Sequence, residues 1–137
     1  MKVRLTRHAL CLWLALAGTA AVACGYCVED RIAAVYDHAL LQRTLANKHQ
    51  MAFFAWDGPV TRNEAMRQKI IALGEATAGV DKGSTRVSME PAALAVAFDP
   101  QRSNVQSVKA GLQKVLGPIR LSVTLLQPPP AAIKSPG

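Results

Sequence analysis

The sequence predicts an α+β fold: a four-stranded antiparallel sheet layered against two helices, with one more helix placed ahead of it. Three observations carry that expectation. One short apolar run and three stretches with apolar residues at every second position lie between Met51 and Leu126. Two stretches with apolar residues every three or four positions separate them, and Asp-Gly, Gly-Pro and Asp-Pro pairs mark the joints. The 137 residues suit a single domain, and an apolar content of 50% is enough for a packed core.

Taken in order, Met1–His8 carries three basic residues and no acidic one, and Ala9–Ala17 is an unbroken apolar run. Small residues then lead to Ala21-Val22-Ala23. This is the layout of a secretory signal peptide over residues 1–23, and the run is shorter than the roughly 20 apolar residues of a membrane span. The expected location is outside the cytoplasm, in a periplasm. Lys2, Arg4 and Arg7 belong to the leader, so of 16 basic and 9 acidic residues 13 and 9 remain, a net of +4. The remaining basic residues are scattered singly, which excludes a track for a nucleic-acid backbone.

Residues 24–48 form the cysteine-bearing N-terminal helix. Val28, Ile32, Val35, Tyr36, Ala39 and Leu40 share one face from Val28 to about Ala46, and Glu29 and Asp30 sit in the first turn. Met51–Trp56 is the first strand, and Asp57-Gly58-Pro59 ends it. Thr61 and Glu64 have the spacing of a capping box, opening a helix whose inward stripe is Met66, Ile70, Leu73 and Thr77 and which Ala78-Gly79 closes. Thr85, Val87 and Met89, then Leu94, Val96 and Phe98, alternate on either side of a Pro91-Ala92 turn and read as a hairpin. Val105, Val108, Leu112 and Val115 mark the next helix, which Gly117-Pro118 stops, and Ile119–Leu125 alternates as the last strand. Residues 128–137, rich in proline, read as a disordered tail.

Strand, helix, strand, strand, helix, strand over residues 50–127 is the order of the ferredoxin-like βαββαβ sandwich, here with an extra N-terminal helix. The chain resembles the heavy-metal-associated domain family, the modules of copper chaperones and mercury-binding periplasmic proteins. Ala78-Gly79-Val80 with Ser84–Ser88, Ala93–Pro100, and Gln106–Leu112 carry the likeness. The resemblance implies a non-catalytic metal-binding or metal-transfer module. In that family a CxxC pair lies in the loop between first strand and first helix. Here the loop, Trp56–Asn63, holds no cysteine, so no ligand carries over.

Cysteines occur instead at Cys24-Gly-Tyr-Cys27; the third, Cys11, falls in the leader. Two thiolates about one helical turn apart can hold a soft ion such as Cu(I) or Hg(II); a helix start lowers a thiol pKa, while the nearby Glu29 and Asp30 work against that by repelling a thiolate. Cys24 and Cys27 are therefore the candidate metal ligands, with copper or another soft transition metal as the ion. A metal-transfer or envelope protein is the expected partner. Other readings stay open. Ala21–Cys24 partly fits a lipidation signal, which would make Cys24 a lipid anchor and the protein a lipoprotein. The pair could be a plain disulfide or a thiol–disulfide redox partner. The domain could also be a protein-interaction module that docks a partner through the open sheet face or the N-terminal helix. His38 and His49 read as solvated residues, and Met51, Met66 and Met89 as core filler. No arrangement of an enzyme's acid, base or nucleophile stands out.

Overall fold

The computed structural model describes residues 26–126. The leader, Cys24 and the tail lie outside the described residues. Four strands, β1 (Gln50–Asp57), β2 (Arg86–Met89), β3 (Ala92–Phe98) and β4 (Ser122–Leu126), form one antiparallel sheet in the order β2-β3-β1-β4. Helix α3 (Glu64–Glu75) links β1 to β2, and α4 (Val105–Leu116) links β3 to β4. This is the ferredoxin-like sandwich. The register sets Phe54 opposite Leu94 and Trp56 opposite Val123. These four, with Val96 and Phe98, pack against Ile70, Val108, Leu112 and Leu116 of the two helices.

The helix caps differ from the expected ones. Asn63, not Thr61, opens α3, its side chain accepting the Met66 N–H at 2.8 Å. Glu64 thus falls at the first helical position and turns to Arg67, 2.6 Å away, whose guanidinium, with the Gln68 amide, holds its carboxyl down to about 2. Asn104 opens α4 in the same way, accepting the Ser107 N–H at 2.9 Å. Helix α3 stops at Glu75, short of the expected Ala78-Gly79. The Thr77 hydroxyl donates to the Leu73 carbonyl at 3.0 Å, satisfying an acceptor that the helix leaves free at its end. Gly79 supplies its positive φ of 87° further on, in the turn that leads to a bridge between Val80 and Phe98.

The N-terminal addition is two helices, α1 (Val28–Val35) and α2 (His38–Ala46), where the periodicity predicts one. Asp37 makes the break. Its backbone is extended, one carboxylate oxygen accepts the Leu40 N–H at 2.9 Å, and the other accepts from Arg86 Nε at 2.9 Å. The Leu40 N–H and then Arg86 hold its pKa below the usual carboxylate range. Apolar spacing runs on through the break because both helices turn inward side chains, Val35 and Leu40, to the sheet. Val35 packs on Ala93 and Ala95, with Met51 and Phe53 at the margin. Strand β3 is consequently buried on both faces, large residues toward α3 and α4 and alanines toward α1. The sheet face that the βαββαβ order leaves open is covered over β3.

Glu75 closes the far end of α3 onto β2. Its carboxylate accepts the Gly83 N–H at 2.6 Å and the Thr85 N–H at 2.9 Å. Partial burial disfavours the charged form, yet these two donors outweigh it and keep the pKa below its usual value. A depressed folded-state pKa gives stability that is present above the unfolded value, about 4.3, and is lost as pH falls through the folded one. The urea midpoint of Glu75→Gln is therefore expected to fall less steeply than that of the parent chain as pH drops below about 4.3. Equal slopes in the two chains would remove Glu75 from the acid response.

Candidate functional site

Of the two predicted ligands, Cys27 is described and Cys24 lies outside the described residues. Cys27 is the exposed cap residue of α1, with φ −70° and ψ 171°. Its thiol donates to Asp30 Oδ2 at 3.1 Å, and its backbone N–H donates to the same oxygen at 3.4 Å. Of the two opposed effects read from the sequence, the acidic neighbours outweigh the helix start. The Asp30 backbone N–H favours the thiolate, but the carboxylates of Asp30 and Glu29 and partial desolvation outweigh it and push the pKa up. Acidic residues that suit the helix dipole thus oppose the charged sulfur. Just beyond, Arg31 Nη1 donates to the Ala92 carbonyl at 2.6 Å, tying α1 to the start of β3.

Tyr26, immediately before Cys27, lines a cleft of about 400 Å³ with Arg31, Trp56, Asp57, Arg62 and Glu90. Trp56 stands next to the end of β1, and Arg62 lies in the connection from β1 to α3. Buried Trp56 donates its indole N–H to the Ser88 carbonyl at 3.1 Å. The Arg62 guanidinium carbon lies 5.1 Å from the centre of the Trp56 ring, a cation–π distance. Arg62 also donates to the Met89 carbonyl and to Glu90 Oε2, the latter at 3.1 Å. Glu90 and Tyr26 line the same cleft. As hydrogen-bond acceptor and as negative charge Glu90 raises the phenol pKa. Arg62, Glu90 and Tyr26 escape sequence reasoning because nothing local marks contacts that span 28 and more residues.

Elsewhere, Tyr36 OH and His38 Nδ1 are 3.4 Å apart on the exposed side of the N-terminal helices. His49 departs from its solvated reading: it is half-buried, with Nδ1 2.6 Å from Asp81 Oδ2 and Nε2 3.9 Å from Asp99 Oδ2. Met66 and Met89 pack on the main core and Met51 on the smaller one, as core filler should. Among the described residues no group of three or more His, Cys, Asp or Glu side chains is arranged to hold a metal ion. Among the same residues no helix is long and apolar enough to cross a membrane.

No protein-family model matches the chain, and no curated protein does. Among solved structures it is similar to oxidised MerP from Ralstonia metallidurans CH34, at 19% identity over 58% of this chain and 99% of that one, with a TM-score of 0.44. It is similar to a copper-binding domain from HMA7, a P-type ATPase, at 17% identity over 56% of this chain and 93% of that one, with a TM-score of 0.45. A third is the yeast copper transporter domain Ccc2a, solved in apo and Cu(I)-loaded states, at 18% identity over 56% of this chain and 94% of that one, with a TM-score of 0.41.

Proposed function

We propose that the chain is exported to the periplasm and there binds a soft transition-metal ion, Cu(I) in the first instance, through Cys24 and Cys27, passing it to a partner without catalysis. The observation that carries this reading is the seat of Tyr26 in the cleft beside Trp56, Asp57 and Arg62. Tyr26, which precedes Cys27, lines this cleft with Asp57 and Arg62, so the chain would offer sulfur from its N-terminal side where the family it resembles offers it from the loop. The exposure of Cys27 supports access by a metal carrier. Two thiolates suffice for a near-linear soft ion, and a site of this kind needs no third ligand. The thiol proton must leave for the metal to enter, so a raised thiol pKa makes uptake weaken as pH falls.

The test is titration of the reduced chain with Cu(I) against a competing chelator. Tight binding is expected, and Cys24→Ser together with Cys27→Ser is expected to abolish it. Equal affinity in the parent chain and the double variant would end the proposal. Intact mass of protein taken from native membranes decides whether Cys24 is free or acylated, and acylation would leave a single sulfur.

A second reading, docking of a protein partner, is favoured by the outer surface of the N-terminal helices. Tyr36 and Leu45 are 50% and 56% exposed there. A thiol–disulfide role gains nothing from a thiol whose pKa is pushed up.

A further inference from the structure

A cavity of about 220 Å³ opens where the break between α1 and α2, helix α3 and the edge strand β2 come together. Ala34 and Val35 from α1, Ile71 from α3 and Val87 from β2 give it apolar walls. Its charged lining is Arg67, Arg86 and Asp37, two cations against one carboxylate. Both oxygens of that carboxylate are committed, one to the Leu40 N–H and the other to Arg86 Nε. The cations are less fully used. Arg86 spends Nε on Asp37 and Nη1 on the Gly83 and Thr85 carbonyls, each at 3.1 Å. Arg67 spends Nε and Nη2 on Glu64. Among the described residues no acceptor takes Arg86 Nη2 or Arg67 Nη1, so each fork keeps donors for another acceptor. Spare donors beside apolar walls suit a ligand with an oxyanion at one end and hydrocarbon at the other. An amine finds no uncommitted carboxylate in this lining, and a bare phosphate leaves the apolar walls uncovered. At ~30 Å³ for each water-sized group, the space takes about seven non-hydrogen atoms. A five-carbon monocarboxylate has that size.

We propose that this cavity binds a short-chain monocarboxylate, with its charged end on Arg67 and Arg86 and its hydrocarbon end among Val35, Ile71 and Val87. Its walls come from the N-terminal helices and from the βαββαβ body, so a bound acid ties the two together. The site is independent of the metal-binding reading, since Cys27 caps the opposite end of α1.

Titration of the full chain with pentanoate, followed by two-dimensional amide NMR, tests this. Shifts are expected to saturate with a millimolar Kd, the scale so small a ligand reaches, and to centre on residues 34–37, 67, 71 and 85–87. Pentanol, which lacks the charge, and inorganic phosphate, which lacks the hydrocarbon, are each expected to bind about tenfold more weakly. Arg67→Gln is expected to weaken pentanoate binding about tenfold. Its melting temperature is expected to stay near the parent's, because the Glu64 partner it loses is 66% exposed. Glu64→Gln, which releases more of the Arg67 fork, is expected to tighten binding. With pentanoate at ten times its Kd, the amides of α1 and α2 are expected to exchange with deuterium about tenfold more slowly. Phosphate held as tightly as pentanoate, or pentanoate held as tightly by Arg67→Gln as by the parent, would mean an adventitious ion only and overturn the site. Shifts scattered over other arginines and lysines, or exchange in the two helices that ignores the acid, overturn it as well.

Discussion

Phe54→Ala is expected to lower the free energy of unfolding by about 4 kcal/mol. Phe54 is 0% exposed on the central strand, where β1 pairs with β3 on one side and β4 on the other. Its ring sits in the cluster that Leu94, Ile70 and Leu112 complete. Removing it costs the transfer of the ring and leaves a void that neighbours locked in strands and helices fill only in part. A single domain of this size has only about 5–15 kcal/mol to lose. Urea unfolding followed by Trp fluorescence measures the change. A loss below about 1 kcal/mol would mean that the cluster collapses around the gap.

Gly58→Ala is expected to be nearly as damaging, for a different reason. A Cβ at this position would lie 2.3 Å from the Arg120 carbonyl oxygen and 2.6 Å from Leu121 Cδ2. A leucine methyl can swing away, but the Arg120 carbonyl moves only with the backbone that leads into β4. The added methyl must therefore push the β1–α3 connection off the segment that leads into β4, at about 1–3 kcal/mol. Because Trp56 and Arg62 flank this glycine, the same variant is expected to loosen the cleft that receives Tyr26. Thermal unfolding gives the first effect, and a red shift of Trp emission toward that of water-exposed indole reports the second. A parent-like melting temperature would show that the connection has slack.

Much of the fold was legible in local pattern. The period-two stretches became β2, β3 and β4, and the helical stripes of Ile70 and of Val108 and Leu112 became the core faces of α3 and α4. Patterns failed where two local choices were equally good. Thr61 and Asn63 are both sound cap residues, and only the path of the chain out of the Gly58 turn chooses Asn63. The break at Asp37 was hidden because its partner Arg86 stands 49 residues away and the apolar spacing stays in phase across it. At the site, the types and spacing of Cys24 and Cys27 could be read, and the acidic neighbours of Cys27 gave warning of its raised pKa. The seat of Tyr26 could not be read, since it depends on Trp56, Arg62 and Glu90 meeting through the sheet.

A strand with no watered side makes the molecule a three-layer object instead of a two-layer one. Shortening the protein to the familiar βαββαβ unit would strip one layer away. Ala93, Ala95, Met51 and Phe53 would then form a bare greasy strip across the middle of the sheet. Any boundary chosen for expression, fusion or proteolytic trimming therefore has to fall ahead of Val28, because residues 28–46 are the lid of the second core and cannot be treated as a detachable leader.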